Sequence, residues 1–301
     1  MNFDYSNVLT RAAQLSWKHK SIWGLLLLPI VTGFLPFAVF IVLFLIRIMI
    51  ANAELPTFVD VIFVILFFLS FIFFGIFNYA VRAATGSAAT LGIVRADRGE
   101  GSTHFMDLLR DSLPYFWRVL GLMLLVNLTV GLALTLFNLL MFILIVVTIG
   151  MASICLQPIL ILLMPLIFLM SAVLETAQAA ILMEEMNIMD ALKHALRVVR
   201  THLWKYVIIT MIVYFGSSIL SSFLIMPLMM PFFAVPFLLE FGQEMSLQSA
   251  ILTAMFFFCI FFPVMILLSS FLGVFMKTAL NLTYRRLSPS LLENRESGII
   301  Q

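Results

Sequence analysis

Residues 119–149 read VLGLMLLVNLTVGLALTLFNLLMFILIVVTI, 31 positions without a charged side chain. An α-helix rises 1.5 Å per residue, so about 20 apolar residues cross the hydrocarbon core of a bilayer. The run is continuously apolar and lacks the period-two alternation of a barrel strand, which leaves a helix as its only membrane-spanning form. Five more stretches read the same way: Ile22–Ile50, Val59–Ala80, Ile159–Met183, Val207–Leu228 and Ala250–Leu280. The spacing therefore predicts an all-α integral membrane protein with six transmembrane helices. Runs longer than about 25 residues imply tilt or bending. Pro29, Pro36, Pro165 and Pro263 are the expected kink sites, because each removes a backbone donor.

Composition agrees with this reading. Of 301 residues, 63% are hydrophobic and 11% charged, against roughly 45–50% and 25% in soluble domains. A soluble fold of this size cannot hide that much apolar surface. The same figures exclude a disordered chain, a disulfide-built secreted domain and a conventional nucleic-acid binder. Cys155 and Cys259 fall in the outer half and read as buried thiols rather than a disulfide. The first apolar run is too long for a signal-peptide core and reads as a retained span.

Charge placement sets the orientation. Net charge is only +2, yet 16 of the 17 Lys and Arg residues fall in the N-terminal segment, the two stretches after spans two and four, and the C-terminal stretch from Lys277; Arg47 alone lies opposite. The opposite loops carry Glu54, Asp60, Glu240 and Glu244. Positive charge marks the cytoplasmic side, so both termini are expected there. Trp17, Trp23, Trp117 and Trp204 all sit near cytoplasmic span ends, where an amphipathic ring anchors at the interface.

The cytoplasmic segments are themselves patterned. After Asn187, Ile188, Leu192, Ala195, Leu196 and Val199 share one face of a 3.6-residue helix. After Ser102 and Thr103, Phe105, Leu109, Ser112, Leu113 and Phe116 fall at the same offsets, and Asp107–Arg110 matches Asp190–Lys193 at a shift of 83 residues. Val8, Ala12, Leu15 and Ser16, after Ser6, form a weaker third copy. The expected unit is an interfacial amphipathic helix followed by a transmembrane hairpin, used three times within one membrane domain: residues 1–94, 95–184 and 185–284, with a cytoplasmic tail over 285–301. Arg110, Lys193, Arg197 and Arg200 are the expected contacts to anionic lipid headgroups. Such helices also serve as plain connectors that fix topology.

Glu175 is the one acidic residue well inside a span, nine residues before Glu184 and so about 13 Å deep. An ionisable group there is costly and draws attention to function. Gln178 follows at i+3, and Arg82 is a candidate partner. The trio reads either as a polar lock between spans two and four or as a proton or solute site. If it is a lock, Glu175→Gln is expected to be nearly silent. Asn78, Asn127, Asn138 and Asn281 are further polar groups at or near membrane depth, suited to interhelical hydrogen bonds. Pro227, Pro231 and Pro236 predict an irregular outer end for span five. The four His residues have no metal-ligand spacing, and phosphate-loop, nucleophile-elbow and paired-His motifs are missing from the sequence. No catalytic group, cofactor or metal is expected.

The stretch Glu184–Arg197, with its acidic start and Ala-Leu-Lys helix, followed by His202-Leu-Trp204, resembles bacterial six-helix membrane proteins related to the membrane domain of glycerophosphodiester phosphodiesterase. Gly99–Trp117 resembles the corresponding middle repeat. The resemblance implies a six-span inner-membrane protein; it does not bring the phosphodiesterase activity, because the catalytic barrel has no counterpart in this sequence. Two functions stay open: a non-enzymatic accessory or scaffold protein of a membrane complex with partner membrane subunits, and a small-solute or lipid transporter using the Glu175 region.

Overall fold

The computed structural model describes residues 3–49, 57–99, 104–148, 151–240 and 247–288. Glu54, Ser102, Thr103, Gly150, Glu244 and residues 289–301 lie outside the described residues, as do the side chains of Arg47, Asp60, Cys155, Glu240 and Cys259. Regular structure among the described residues is helical throughout: α1 (Tyr5–Lys18), α2 (Lys20–Gly33), α3 (Leu35–Met49), α4 (Thr57–Arg98), α5 (Phe105–Ser112), a 3-10 turn (Leu113–Tyr115), α6 (Phe116–Val147), α7 (Met151–Glu184), α8 (Ile188–Thr201), α9 (Leu203–Glu240) and α10 (Leu247–Leu287). Six helical segments are long and apolar enough to cross a membrane: Lys20–Phe40, Val61–Arg98, Phe105–Val147, Leu163–Glu184, Leu203–Phe223 and Ile260–Leu287.

The core lies toward one end of these helices. Its residues come from the C-terminal parts of α4, α7 and α10 and the N-terminal parts of α2, α6 and α9. Many are small: Ala83, Ala88 and Ala89 in α4, Ala172, Ala177 and Ala180 in α7, Ala279 in α10. Small side chains let helix backbones approach closely, the packing rule of helices in lipid. At the other end, α4 from Val61 to Phe77 and α6 from Leu132 to Val147 expose large apolar side chains on most faces. That surface matches hydrocarbon and would be untenable in water.

The first span breaks where backbone donors run out. Gly33 ends α2 and Leu35 begins α3, with Pro29 one turn before the break and Pro36 just after it. Proline N–H groups are missing at both turns, and proline is tolerated in the first turn of the new helix. Asn78 of α4 ties this turn to its neighbour: its Nδ2 donates to the Pro29 carbonyl at 2.6 Å and to Thr32 Oγ1 at 2.7 Å. Asn127 likewise reaches across helices, donating to Tyr79 Oη at 2.9 Å. Asn138 and Asn281 instead donate to carbonyls of their own helices, those of Leu134 and Lys277. In span five, α9 runs through Pro227, Pro231 and Pro236 to Glu240 without the expected interruption; each proline costs one ladder bond, and the neighbouring turns keep the helix.

The three short helices pack against the bundle on faces that differ in part from those expected. Helix α1 is capped by Asp4, whose carboxylate accepts from Asn7 N, and it buries Val8, Ala12 and Ser16. Helix α8 buries Ala191, Ala195, Val198 and Val199, while Leu196 is exposed. Helix α5 buries Leu108 and Ser112, and Leu113 is exposed. It stops at Ser112 because Pro114 cannot donate to the Arg110 carbonyl, and a 3-10 turn takes over. Small residues set the buried faces: Gly92 receives Leu108 and Gly121 receives Ile188, and a Cβ at either glycine would lie 2.9 Å from the leucine or isoleucine methyl.

A candidate functional site between α7, α10 and α4

Lys277 of α10 lies deep in the bundle with only 6% of its side chain exposed, and its Nζ donates to Glu175 Oε2 of α7 at 2.5 Å. A second donation reaches Gln178 Oε1 at 3.0 Å. Glu175 and Gln178 stand at i and i+3, so both side chains leave α7 on one side. Helix α4 closes the third side: a Cβ on Gly86 would lie 3.9 Å from both Lys277 Nζ and Gln178 Oε1. The ammonium thus joins α7 and α10 while largely withdrawn from the surface, and the carboxylate compensates its charge.

Glu175 and Gln178 therefore come together. Arg82 does not join them: its side chain is exposed, and it makes no hydrogen bond or ion pair among the described residues. Lys277 takes the place expected of Arg82. Gly86, not Arg82, is the α4 position against the polar pair, and α10 presents its cation at that level. Sequence reasoning grouped Lys277 with the C-terminal cations, although it falls inside the apolar run that ends at Leu280. A lone cation within a span, set against a lone carboxylate in another, was the signal available.

The surroundings are polar. Tyr214 of α9 stacks on Phe168 of α7 with ring centres 5.0 Å apart. Ser217 Oγ, Thr278 Oγ1 and Asn281 Oδ1 are buried side-chain atoms without a hydrogen-bond partner among the described residues. Two further layers tie α10 to its neighbours toward the helix ends. Tyr284 Oη donates to Glu184 Oε1, with His194 Nε2 4.0 Å from the same oxygen. Asp97 accepts from Arg285 and, at 2.6 Å, from Arg11, which fixes α1 to α4 and α10.

The linker from α7 to α8 is clamped. Glu185 adopts a positive φ of 53°, its carboxylate accepts from Tyr115 Oη at 3.0 Å, and its carbonyl accepts from Arg118 Nη1 at 3.2 Å. A non-glycine residue in the left-handed region needs such support. The expected headgroup contacts Arg110, Lys193, Arg197 and Arg200 are all exposed, and none has an ion-pair partner among the described residues.

Chemically, a carboxylate and an ammonium at contact distance can hold helices together or exchange a proton. Among the described residues, no second carboxylate contacts Lys277 beside Glu175. Comparison with protein-family models, with curated proteins and with solved structures returned no match.

Proposed function

We propose that this chain is a polytopic plasma-membrane protein with both termini cytoplasmic, built from three repeats of interfacial helix and hairpin, and that it acts as a non-enzymatic scaffold or accessory subunit of a membrane complex. The observation that carries this reading is the closed Lys277–Glu175–Gln178 contact. A carboxylate occupied at 2.5 Å by a buried ammonium is engaged in joining α7 to α10. Charge distribution supports the orientation, because the cations of α5 and α8 lie at the end where the core packs. The resemblance to the phosphodiesterase membrane domain agrees with this reading, and partner subunits would meet the protein within the bilayer or at its cytoplasmic surface.

A second reading is favoured by one observation. Thr278 adjoins Lys277 in sequence and buries a hydroxyl without a hydrogen-bond partner among the described residues, which suits a transporter passing a proton or small solute by way of Glu175.

Replacing both charges separates the readings. In a strain where deletion of the gene has a measurable phenotype, Glu175→Leu/Lys277→Met at normal protein level should behave as wild type if the pair is a lock. A folded, normally abundant double variant that reproduces the deletion would overturn the scaffold reading and support transport.

A further inference from the structure

Beyond the face that each short helix buries, α5 and α8 carry a second, outward apolar edge, and the same residue types recur on both at a shift of 83. Met106 matches Met189, Arg110 matches Lys193, and Leu113 matches Leu196. All six are exposed, Met106 to 71%. In α8, Met189, Lys193, Leu196 and Arg200 fall at offsets 0, 4, 7 and 11, one helix face. Both edges lead to a tryptophan, Trp117 and Trp204, each 75% exposed.

From the tryptophans, the exposed surface continues along the spans. Leu124, Leu128 and Leu132 carry it down α6, and Ile208, Ile212, Phe215 and Ile219 down α9. A stripe unbroken from a transmembrane segment onto a surface helix has one solvent on its apolar side, the acyl chains. The cations set between the methionine and leucine positions are free of ion pairs among the described residues. Long basic side chains at such a level extend their charge to the headgroup region while the stem stays on apolar surface.

We infer that these two edges are equivalent binding sites for anionic phospholipids of the cytoplasmic leaflet. In each, a methionine and a leucine contact the acyl chain, Arg110 or Lys193 with Arg200 holds the headgroup phosphate, and Trp117 or Trp204 marks the boundary. This inference rests on the membrane placement proposed above and extends the headgroup contacts expected of Arg110, Lys193 and Arg200 to two matched sites with acyl-chain and boundary residues.

Tryptophan fluorescence tests it. The full chain, with Trp17, Trp23 and Trp204 replaced by Phe, is reconstituted in phosphatidylcholine vesicles containing a minor fraction of brominated phosphatidylglycerol or brominated phosphatidylcholine. The reciprocal variant keeps Trp204 alone. Brominated phosphatidylglycerol should quench Trp117 as if enriched about fivefold over its bulk fraction, the scale of one cation near an anionic leaflet, and Trp204, with two cations beside it, at least as strongly. Arg110→Gln should remove the preference at Trp117 and leave Trp204 unchanged, and Lys193→Gln/Arg200→Gln should do the reverse. Equal quenching by both lipids, or a preference that survives these changes, overturns the lipid sites and leaves the membrane placement standing. No quenching by either lipid overturns both.

Discussion

Removing the carboxylate opposite Lys277 should be costly, although the sequence alone suggested that Glu175→Gln would be nearly silent. The difference is the partner. Gln keeps one acceptor for the ammonium but strands a positive charge that is 6% exposed. At 2.5 Å and an effective dielectric of about 20, the attraction between two unit charges is about 6–7 kcal/mol. Desolvation of both ions offsets much of it, and Glu175 keeps 22% of its side chain exposed, which weakens the pair further. Breaking a buried pair by deleting one member typically costs about 3–5 kcal/mol; with this partial exposure, about 2–4 kcal/mol is expected for Glu175→Gln. Lys277→Met should cost less, because it removes the more deeply buried charge and leaves a carboxylate with 22% of its side chain exposed. Glu175→Gln/Lys277→Met should recover part of the loss, giving a coupling of about 1–3 kcal/mol. Equilibrium unfolding in mixed detergent micelles, at fixed total detergent and rising dodecyl sulfate fraction, measures all four corners of the cycle. Additive losses within about 0.5 kcal/mol would refute the claim that the pair acts as a unit.

Other contacts make independent predictions. Leu108→Ala should destabilise by about 2–4 kcal/mol, because the fully buried side chain leaves a cavity between Gly92 and Ile22; Leu113→Ala, at an exposed site, should cost far less in the same unfolding assay. Gly92→Ala should cost about 1–3 kcal/mol by overpacking against the Leu108 methyl 2.9 Å away, and adding Leu108→Ala should relieve that overpacking cost. Arg11→Gln should loosen α1 with little change in global stability, since Arg11 is half exposed; amide exchange over Tyr5–Lys18 should speed up while α7 and α10 stay protected.

The spans were legible because hydropathy is written locally: a run such as 119–149 has one physical reading whatever its neighbours do. The cytoplasmic helices were legible as helices but less so in their orientation. In α8 the deepest positions are Ala191 and Ala195, flanked by Leu192 and Leu196, and a search for large apolar residues centres on the leucines. Close packing selects small side chains, which add little to any apolar pattern. In α5, Leu108 fills the space left by Gly92, a complementarity between elements that no single stretch of sequence displays. The ion pair shows the same division. Glu175 was visible as a charge out of place and Gln178 as its neighbour on the helix, but the partner depends on which helix stands beside α7. Arg82 and Lys277 both lie at plausible depth, and only the packing of α10 against α7, with Gly86 of α4 opposite, decides between them.

Single-cysteine accessibility tests the central claim most directly, that the packed end of the bundle with α5 and α8 faces the cytoplasm. In a background with Cys155 and Cys259 replaced, His104→Cys and Lys193→Cys place a thiol at an exposed position on each short helix. Intact cells treated with a membrane-impermeant maleimide should leave both unlabelled, and both should react once the cells are opened. Labelling of either thiol in intact cells would contradict the account.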